Sequence, residues 1–272
     1  MRWVVFNQKG GVGKSTIVCN LAAVSALEGQ RTLVVDLDPH ANSTRYLLGE
    51  GADRARPTLA QFFEQSLAIR LVDENVRGYI HATPYTGLDV LAAHPDMEAL
   101  HGKLEARHKI YKLRDALDDL TGYDSVWLDT PPALNVFTLS ALIAAERCLI
   151  PFDCDDFSRR ALYALLTAVD EVKQDHNPRL AVHGVVVNQF QPRARLPQQL
   201  VNEMKAEGLP ILEPFLSSSV KVRESHQEAC PLVHLAPSHK LSGEYQGLWS
   251  AIQKRARPGV PVFRSAASRA AG

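Results

Sequence analysis

The chain has 272 residues, 46% of them hydrophobic and 22% charged, a balance that suits a globular protein whose core needs no disulfide or metal staple. Thirty Lys and Arg residues are matched by thirty Asp and Glu, which excludes a global attraction to nucleic acid or anionic membrane and leaves only a local patch for such binding. The opening MRWVVFNQKGG lacks a signal-peptide core, no run approaches the ~20 apolar residues of a membrane span, and Cys19, Cys148, Cys154 and Cys230 show no metal spacing, so a cytoplasmic protein with free thiols is expected.

Short apolar runs alternate with longer helical patterns along the chain. The runs are Trp3 to Phe6, Thr32 to Val35, Leu88 to Leu91, Ser125 to Leu128, Cys148 to Ile150 and Gly184 to Val187. Each is rich in β-branched or aromatic residues and apolar on both faces, as a buried parallel strand is. Helical patterns lie at Ser15 to Glu28, Met97 to Leu120, Phe157 to Gln174 and Leu241 to Arg255. The alternation predicts an α/β fold with a doubly wound, mostly parallel sheet. Residues 1–257 read as one domain. Residues 258–272, rich in Ala and Ser, read as a disordered tail, either plainly solvated or a basic arm for DNA, since Lys254, Arg255, Arg257, Arg264 and Arg269 are met by no acid after Tyr245.

After the first strand, residues 9–16 read Lys-Gly-Gly-Val-Gly-Lys-Ser-Thr and open a helix, the context a phosphate-binding loop requires. Gly10, Gly11 and Gly13 permit a tight curl, and Val12 and Thr16 complete the loop. Lys14 is placed to reach the β- and γ-phosphates of a nucleotide, and the Ser15 hydroxyl to bind Mg²⁺. The usual pattern asks for Gly at position 8, where Gln8 stands; Lys9 instead gives Lys-Gly-Gly-Val-Gly-Lys-Ser. That run resembles the deviant Walker A motif of the ParA, MinD and nitrogenase-iron-protein group of ATPases. The resemblance implies a P-loop NTPase that uses ATP and Mg²⁺ and closes into an ATP-dependent homodimer, with Lys9 reaching the partner subunit's nucleotide.

The second strand runs into Asp36-Leu37-Asp38-Pro39-His40-Ala41-Asn42-Ser43-Thr44, carboxylates at the strand end where ligands bind in open α/β sheets. It is similar to the family's D-x-D-P-Q-x-N-x-T segment, with His40 in place of glutamine. By resemblance Asp36 supports the magnesium shell and Asp38 orients the attacking water. Asp38-Pro39 also fits a helix start, with Asp as N-cap and Pro in the first turn, and both readings can hold. Asp129, at the end of the run Trp127-Leu128-Asp129-Thr130-Pro131-Pro132, fits the Walker B role on Mg²⁺.

Farther along, Asn188 ends a strand where the family reads adenine, and Pro214 follows the next strand near the base pocket. The segment from Leu216 to Ser225 is similar to the family's I-P-R-N-V-R-L-S-E-A, with Ser217-Ser218 for the Pro-Arg pair. It puts Lys221 at the place of a DNA-binding arginine, with Arg223 nearby; two exposed helix cations also read as solvated surface. The resemblance spans residue 2 to about residue 255 and indicates a small ParA without an N-terminal helix-turn-helix. It implies a partition or cargo-positioning ATPase that binds non-specific DNA when ATP-bound, is released by a ParB-like or other cargo adaptor, and is nucleoid-associated rather than membrane-bound. Three alternatives carry less of the sequence. A MinD-like reading would use the stripe Leu241, Tyr245, Leu248, Trp249 and Ile252 as a membrane helix, although a stripe of this kind more often packs on the core. An iron–sulfur reductase lacks a cysteine beside Asp129. An amide-forming synthetase needs a second substrate pocket.

Overall fold

Successive residues of each central strand enter opposite cores. Val4, Leu33, Val35, Val126, Leu128 and Ile150 face one layer of helices, and Trp3, Val5, Val34, Val90, Trp127 and Leu149 face the other. This two-sided burial explains why the strands read as continuous apolar runs rather than as alternating ones. The computed structural model describes residues 1–68, 75–154 and 158–257. The tail expected at 258–272 lies outside the described residues, as does Phe157.

The strands are β1 (Arg2–Val5), β2 (Thr32–Asp36), β3 (Ile80–Ala82), β4 (Leu88–Leu91), β5 (Ser125–Asp129), β6 (Arg147–Asp153), β7 (Ala181–Asn188) and β8 (Ile211–Leu212). They form one sheet in the order β3-β4-β2-β5-β1-β6-β7-β8. Neighbours run parallel except β3, which pairs antiparallel with β4 at the edge. The helices are α1 (Lys14–Leu27), α2 (Asn42–Leu48), α3 (Leu59–Ser66), α4 (His101–Ala106), α5 (Lys112–Asp118), α6 (Val136–Ala144), α7 (Ser158–Asp175), α8 (Arg195–Ala206), α9 (Lys221–Gln227), α10 (Leu232–Leu235) and α11 (Lys240–Ala256). Helices α3 to α8 cover the first face, and α1, α2 and α9 to α11 the second.

One expectation changes and one alternative falls away. The pattern from Met97 to Leu120 is not one helix: α4 and α5 are separated near His108, whose φ of 51° breaks the helical path. The stripe Leu241, Tyr245, Leu248, Trp249 and Ile252 is not a membrane face; all five side chains are buried against the sheet. Trp249 packs on Trp3 and Trp127, which sit opposite one another on β1 and β5. Among the described residues no helix is long and apolar enough to cross a membrane.

Between β6 and β7 the register shifts, so that Leu149 faces Gly184 while His183 is squeezed out of the ladder. The bulge turns the His183 ring edge-on to Trp3, and its Nε2 lies 3.0 Å from the Ile252 carbonyl. Gly184 itself must lack a side chain, because a Cβ there would lie 2.4 Å from Leu212 Cγ on β8. Gly184→Ala is therefore expected to cost about 1–3 kcal/mol by overpacking. Urea unfolding followed by circular dichroism checks this: the midpoint should fall with an unchanged slope.

Candidate active site

The loop between β1 and α1 is fastened at both sides by side-chain amides. Asn7 Oδ1 accepts from the Lys9 N–H at 2.8 Å, and Asn7 Nδ2 donates to the Pro151 carbonyl of β6 at 2.7 Å. From the end of β7, Asn188 Nδ2 donates to the Val12 carbonyl at 2.9 Å and Gln189 Nε2 to Gly11 at 3.3 Å. Gly13 is required twice over: its φ is 86°, and a Cβ would stand 2.4 Å from Asn188 Nδ2. The N–H groups of residues 10–16 find no acceptor among the described residues; that of Ile17, 2.9 Å from the Gly13 carbonyl, is the first of the series to be satisfied. A run of open donors at the start of a 14-residue helix, with its positive dipole end, is an anion cradle.

The strand register places two acids beside it. Asp36 and Asp129 are paired residues at the carboxyl ends of β2 and β5, and both are fully buried. Asp36 Oδ2 accepts from Thr44 N at 2.8 Å and Thr44 Oγ1 at 2.7 Å, and its Oδ1 from Asp38 N at 3.2 Å. Asp129 Oδ2 accepts from Ser43 Oγ at 2.7 Å, while its buried Oδ1 makes no hydrogen bond of normal geometry with the described residues. Burial, then repulsion from Asp129, pushes the Asp36 carboxyl up to about 8 against the pull of Thr44. Burial raises Asp129 to about 6, opposed by the Ser15 and Ser43 hydroxyls and the Lys14 ammonium. Lys14 is 7% exposed and its Nζ donates to the Lys9 carbonyl at 3.1 Å. Burial lowers its pKa, and Asp129 and Asp38 oppose that shift.

Asp38 is not the cap of α2. That helix starts at Asn42 behind Ala41, whose φ is 56°, and Asp38 Oδ1 is held by His40 through N (3.0 Å) and Nδ1 (2.8 Å). Asp38 and His40 line a cavity of about 380 Å³ with Gly10, Gly11, Gly13 and the 14–16 stretch. His226 of α9 lines it too, a residue that sequence reasoning missed. Its Nε2 lies 2.9 Å from Thr16 Oγ1, and its ring stacks on Tyr46 at 4.3 Å. No motif marks it, because it reaches the loop from 210 residues away.

The site fits a nucleotide and its metal: the open N–H groups suit phosphate oxygens, and the unpartnered Asp129 Oδ1 suits a cation. Among the described residues no group of three or more His, Cys, Asp or Glu gathers as a metal cage. Mg²⁺ needs none when substrate phosphates complete its shell. A family model described as an AAA domain matches residues 2–182. The chromosome partitioning protein ParA of Myxococcus xanthus is 32% identical over 265 residues, 96% of this chain and 91% of its own. The chromosome-partitioning ATPase Soj of Thermus thermophilus is 34% identical over 255 residues, 93% of this chain and 96% of its own. The chain belongs to the ParA/Soj family of partition ATPases. A solved structure named as the cobyrinic acid a,c-diamide synthase of Mycobacterium smegmatis, with a bound ATP analogue and magnesium, superposes with a TM-score of 0.80 at 26% identity over 97% of this chain and 99% of that one. This ParA-family chain is an ATPase, and its cofactors are ATP and Mg²⁺.

The remaining residues singled out from sequence do not all converge on the loop. Lys9 is exposed at its rim. Arg223 lines a second cavity, of about 280 Å³, with Gly11, Gly13, Thr16, Gln189 and Asn188. Lys221 is paired with Glu224 on the surface of α9. Pro214 is not among the residues lining either cavity; its ring packs beside Gly247 of α11.

The acid pair has a consequence for stability. Both folded-state pKa values lie above the ordinary carboxylate value of about 4. From about pH 4 to about pH 8 the folded state therefore keeps protons that the unfolded chain has released, so stability falls as pH rises through that window. The thermal midpoint of the nucleotide-free protein is expected to drop from pH 5 to pH 8.5. Added Mg²⁺ with ATP should recover more of it at the higher pH. A midpoint that climbs with pH in the absence of nucleotide would show the two acids to be already ionised in the fold.

Proposed function

We propose that this chain is an ATP-operated dimerising switch for DNA partition or for positioning intracellular cargo. The observation that carries the reading is the loop with two lysines of different exposure: Lys14 buried within its own cavity, Lys9 at the rim. The buried ammonium and the open N–H groups of residues 10–16, Gly10, Gly11, Val12, Gly13 and Thr16 among them, hold the phosphates of the subunit's own nucleotide. Ser15 and Asp129 would hold Mg²⁺, with Asp36 supporting its shell. When bound, Mg²⁺ neutralises charge on the β- and γ-phosphate oxygens. Asp38 accepts a hydrogen bond from the attacking water and aligns it. Asn188, which already ties down Val12, uses its remaining amide capacity on the base.

Lys9 belongs to the other half of the mechanism. A second cation beside Lys14 is favourable when it faces negative charge, and a nucleotide presented by the partner subunit provides it. ATP thus closes the dimer, hydrolysis opens it, and the ligand shifts the population between the two states. In the closed state Lys221 and Arg223 give α9 a cationic face for DNA phosphates, with no sequence readout. A ParB-like or other cargo adaptor stimulates hydrolysis and release, in a cytoplasmic, nucleoid-associated cycle. The burial of the α11 stripe on the sheet supports this reading over a MinD-like use of that stripe at a membrane.

Two measurements test this. Binding to random-sequence duplex DNA should require ATP, fail with ADP, and weaken steeply as salt rises; equal binding in all nucleotide states would refute the switch. Lys14→Ala should lower ATP affinity on the order of 10- to 100-fold, the loss of charge-assisted hydrogen bonds, by titration calorimetry. Unchanged affinity would remove Lys14 from the phosphate site.

A further inference from the structure

We propose that His40 is a positioning residue for hydrolysis, which fixes the Asp38 carboxylate by one oxygen and leaves the other for water. The inference rests on the reading of Asp38 as the group that orients water.

The two donors that hold Asp38 come from one residue and fall on one oxygen, His40 N at 3.0 Å and His40 Nδ1 at 2.8 Å from Oδ1. Oδ2 is then the oxygen available to a water in the cavity that both residues line. The backbone holds the ring in place: Ala41 N–H returns to the Asp38 carbonyl at 2.8 Å, and Ala41 takes a φ of 56°, so residues 38–41 form a tight turn. A bond from Nδ1 to a carboxylate requires a proton on Nδ1, which selects the tautomer. The two side chains differ sharply in exposure, 7% for Asp38 and 75% for His40. The carboxylate is thus shielded, and the ring that holds it stands at the solvent side.

The contact orients Asp38 by a hydrogen bond. The other titratable groups that face Asp38 are Lys14, Asp36 and Asp129, and His226 lines the same cavity set against Thr16 and Tyr46. None of them makes the side-chain contact to Asp38 Oδ1. His40 forms no bond to the reacting atoms. The glutamine found here in the resembling family segment can donate the same kind of hydrogen bond, so an amide at this position should keep the orientation.

The test measures kcat and KM for ATP with Mg²⁺ in the whole chain at one fixed pH. Wild type, His40→Gln, His40→Ala and Asp38→Ala are compared, with nucleotide binding checked for each by a fluorescent ATP analogue. His40→Ala should lose about ten- to a hundredfold in kcat with KM nearly constant, as misorientation does. His40→Gln should restore most of that loss. A His40→Ala kcat equal to wild type, or a His40→Gln variant as slow as His40→Ala, would overturn the proposal. Asp38→Ala separates the two levels: full turnover in that variant would remove the water-orienting reading itself, whatever the His40 variants do.

Discussion

Asp36 and Asp129 stand opposite one another in the register of two adjacent parallel strands, both without solvent exposure. Neighbouring strands are about 4.8 Å apart, so two carboxylates must share a space in which neither is hydrated. Much of the surrounding architecture compensates for that. The first turn of α2 supplies Ser43 to one acid and Thr44 to the other, and α1 brings in Lys14. The compensation is incomplete, because burial still wins over these partners and both acids hold their protons more tightly than a solvated carboxylate. An incompletely neutralised pair beside a run of open N–H groups gives the nucleotide and its metal a large differential interaction with this arrangement, which a ligand needs if it is to shift a conformational equilibrium.

The same elements reach α9 through a chain of polar contacts that is buried at Asn20, Tyr46 and Ser225 and exposed at His226. Tyr46 of α2 shares its hydroxyl with Ser225 of α9 and with Asn20 of α1, and its ring carries His226, which meets Thr16 of the phosphate loop. Asn20 in turn accepts from the backbone N–H of Val233 in α10. Apolar packing alone would let α9 slide over α1 at little cost. Hydrogen bonds between buried groups penalise each partner left unpaired, so they tie the helix that carries Lys221 and Arg223 to one position relative to the loop. Arg223 lines a cavity bordered by Gly13 and Asn188, which brings α9 to the edge of the nucleotide site from a second direction.

What was legible in the sequence is what the backbone constrains. The glycines, Lys14, Ser15 and the two strand-end acids lie within a few residues of an apolar run, and their spacing is dictated by a turn that must fit a phosphate. The central strands were legible because both of their faces are buried. The edge strand β3, Ile80–Ala82, was not: it is three residues long, half exposed, and carries no run. The helical pattern from Met97 to Leu120 preserved its period across His108, because apolar spacing does not report a single residue with positive φ. The α11 stripe was ambiguous for a different reason. A face that packs on a sheet and a face that lies on a bilayer have the same periodicity, and only the Trp3–Trp127 pair waiting across the core distinguishes them. His226 and Gln189 depend on chain segments brought together only by the complete sheet.

The segment after β2 shows how a local signal can be right about chemistry and wrong about structure. Asp-Pro after a strand is a good helix start, yet α2 begins three residues later than that reading predicts. The delay requires Ala41 to adopt a left-handed conformation, which costs an alanine on the order of 1 kcal/mol. The return on that strain is positional. With the helix starting at Asn42, Ser43 and Thr44 fall in its first turn, where their side chains reach Asp129 and Asp36 and the Thr44 N–H is still free to donate. A helix begun at Pro39 would put Thr44 beyond its first turn, its N–H committed to an intrahelical bond, and would draw Asp38 into a cap instead of leaving it in the cavity. The strained alanine and the displaced cap are therefore parts of one arrangement, in which the demands of two buried carboxylates override the local preference for a helix start.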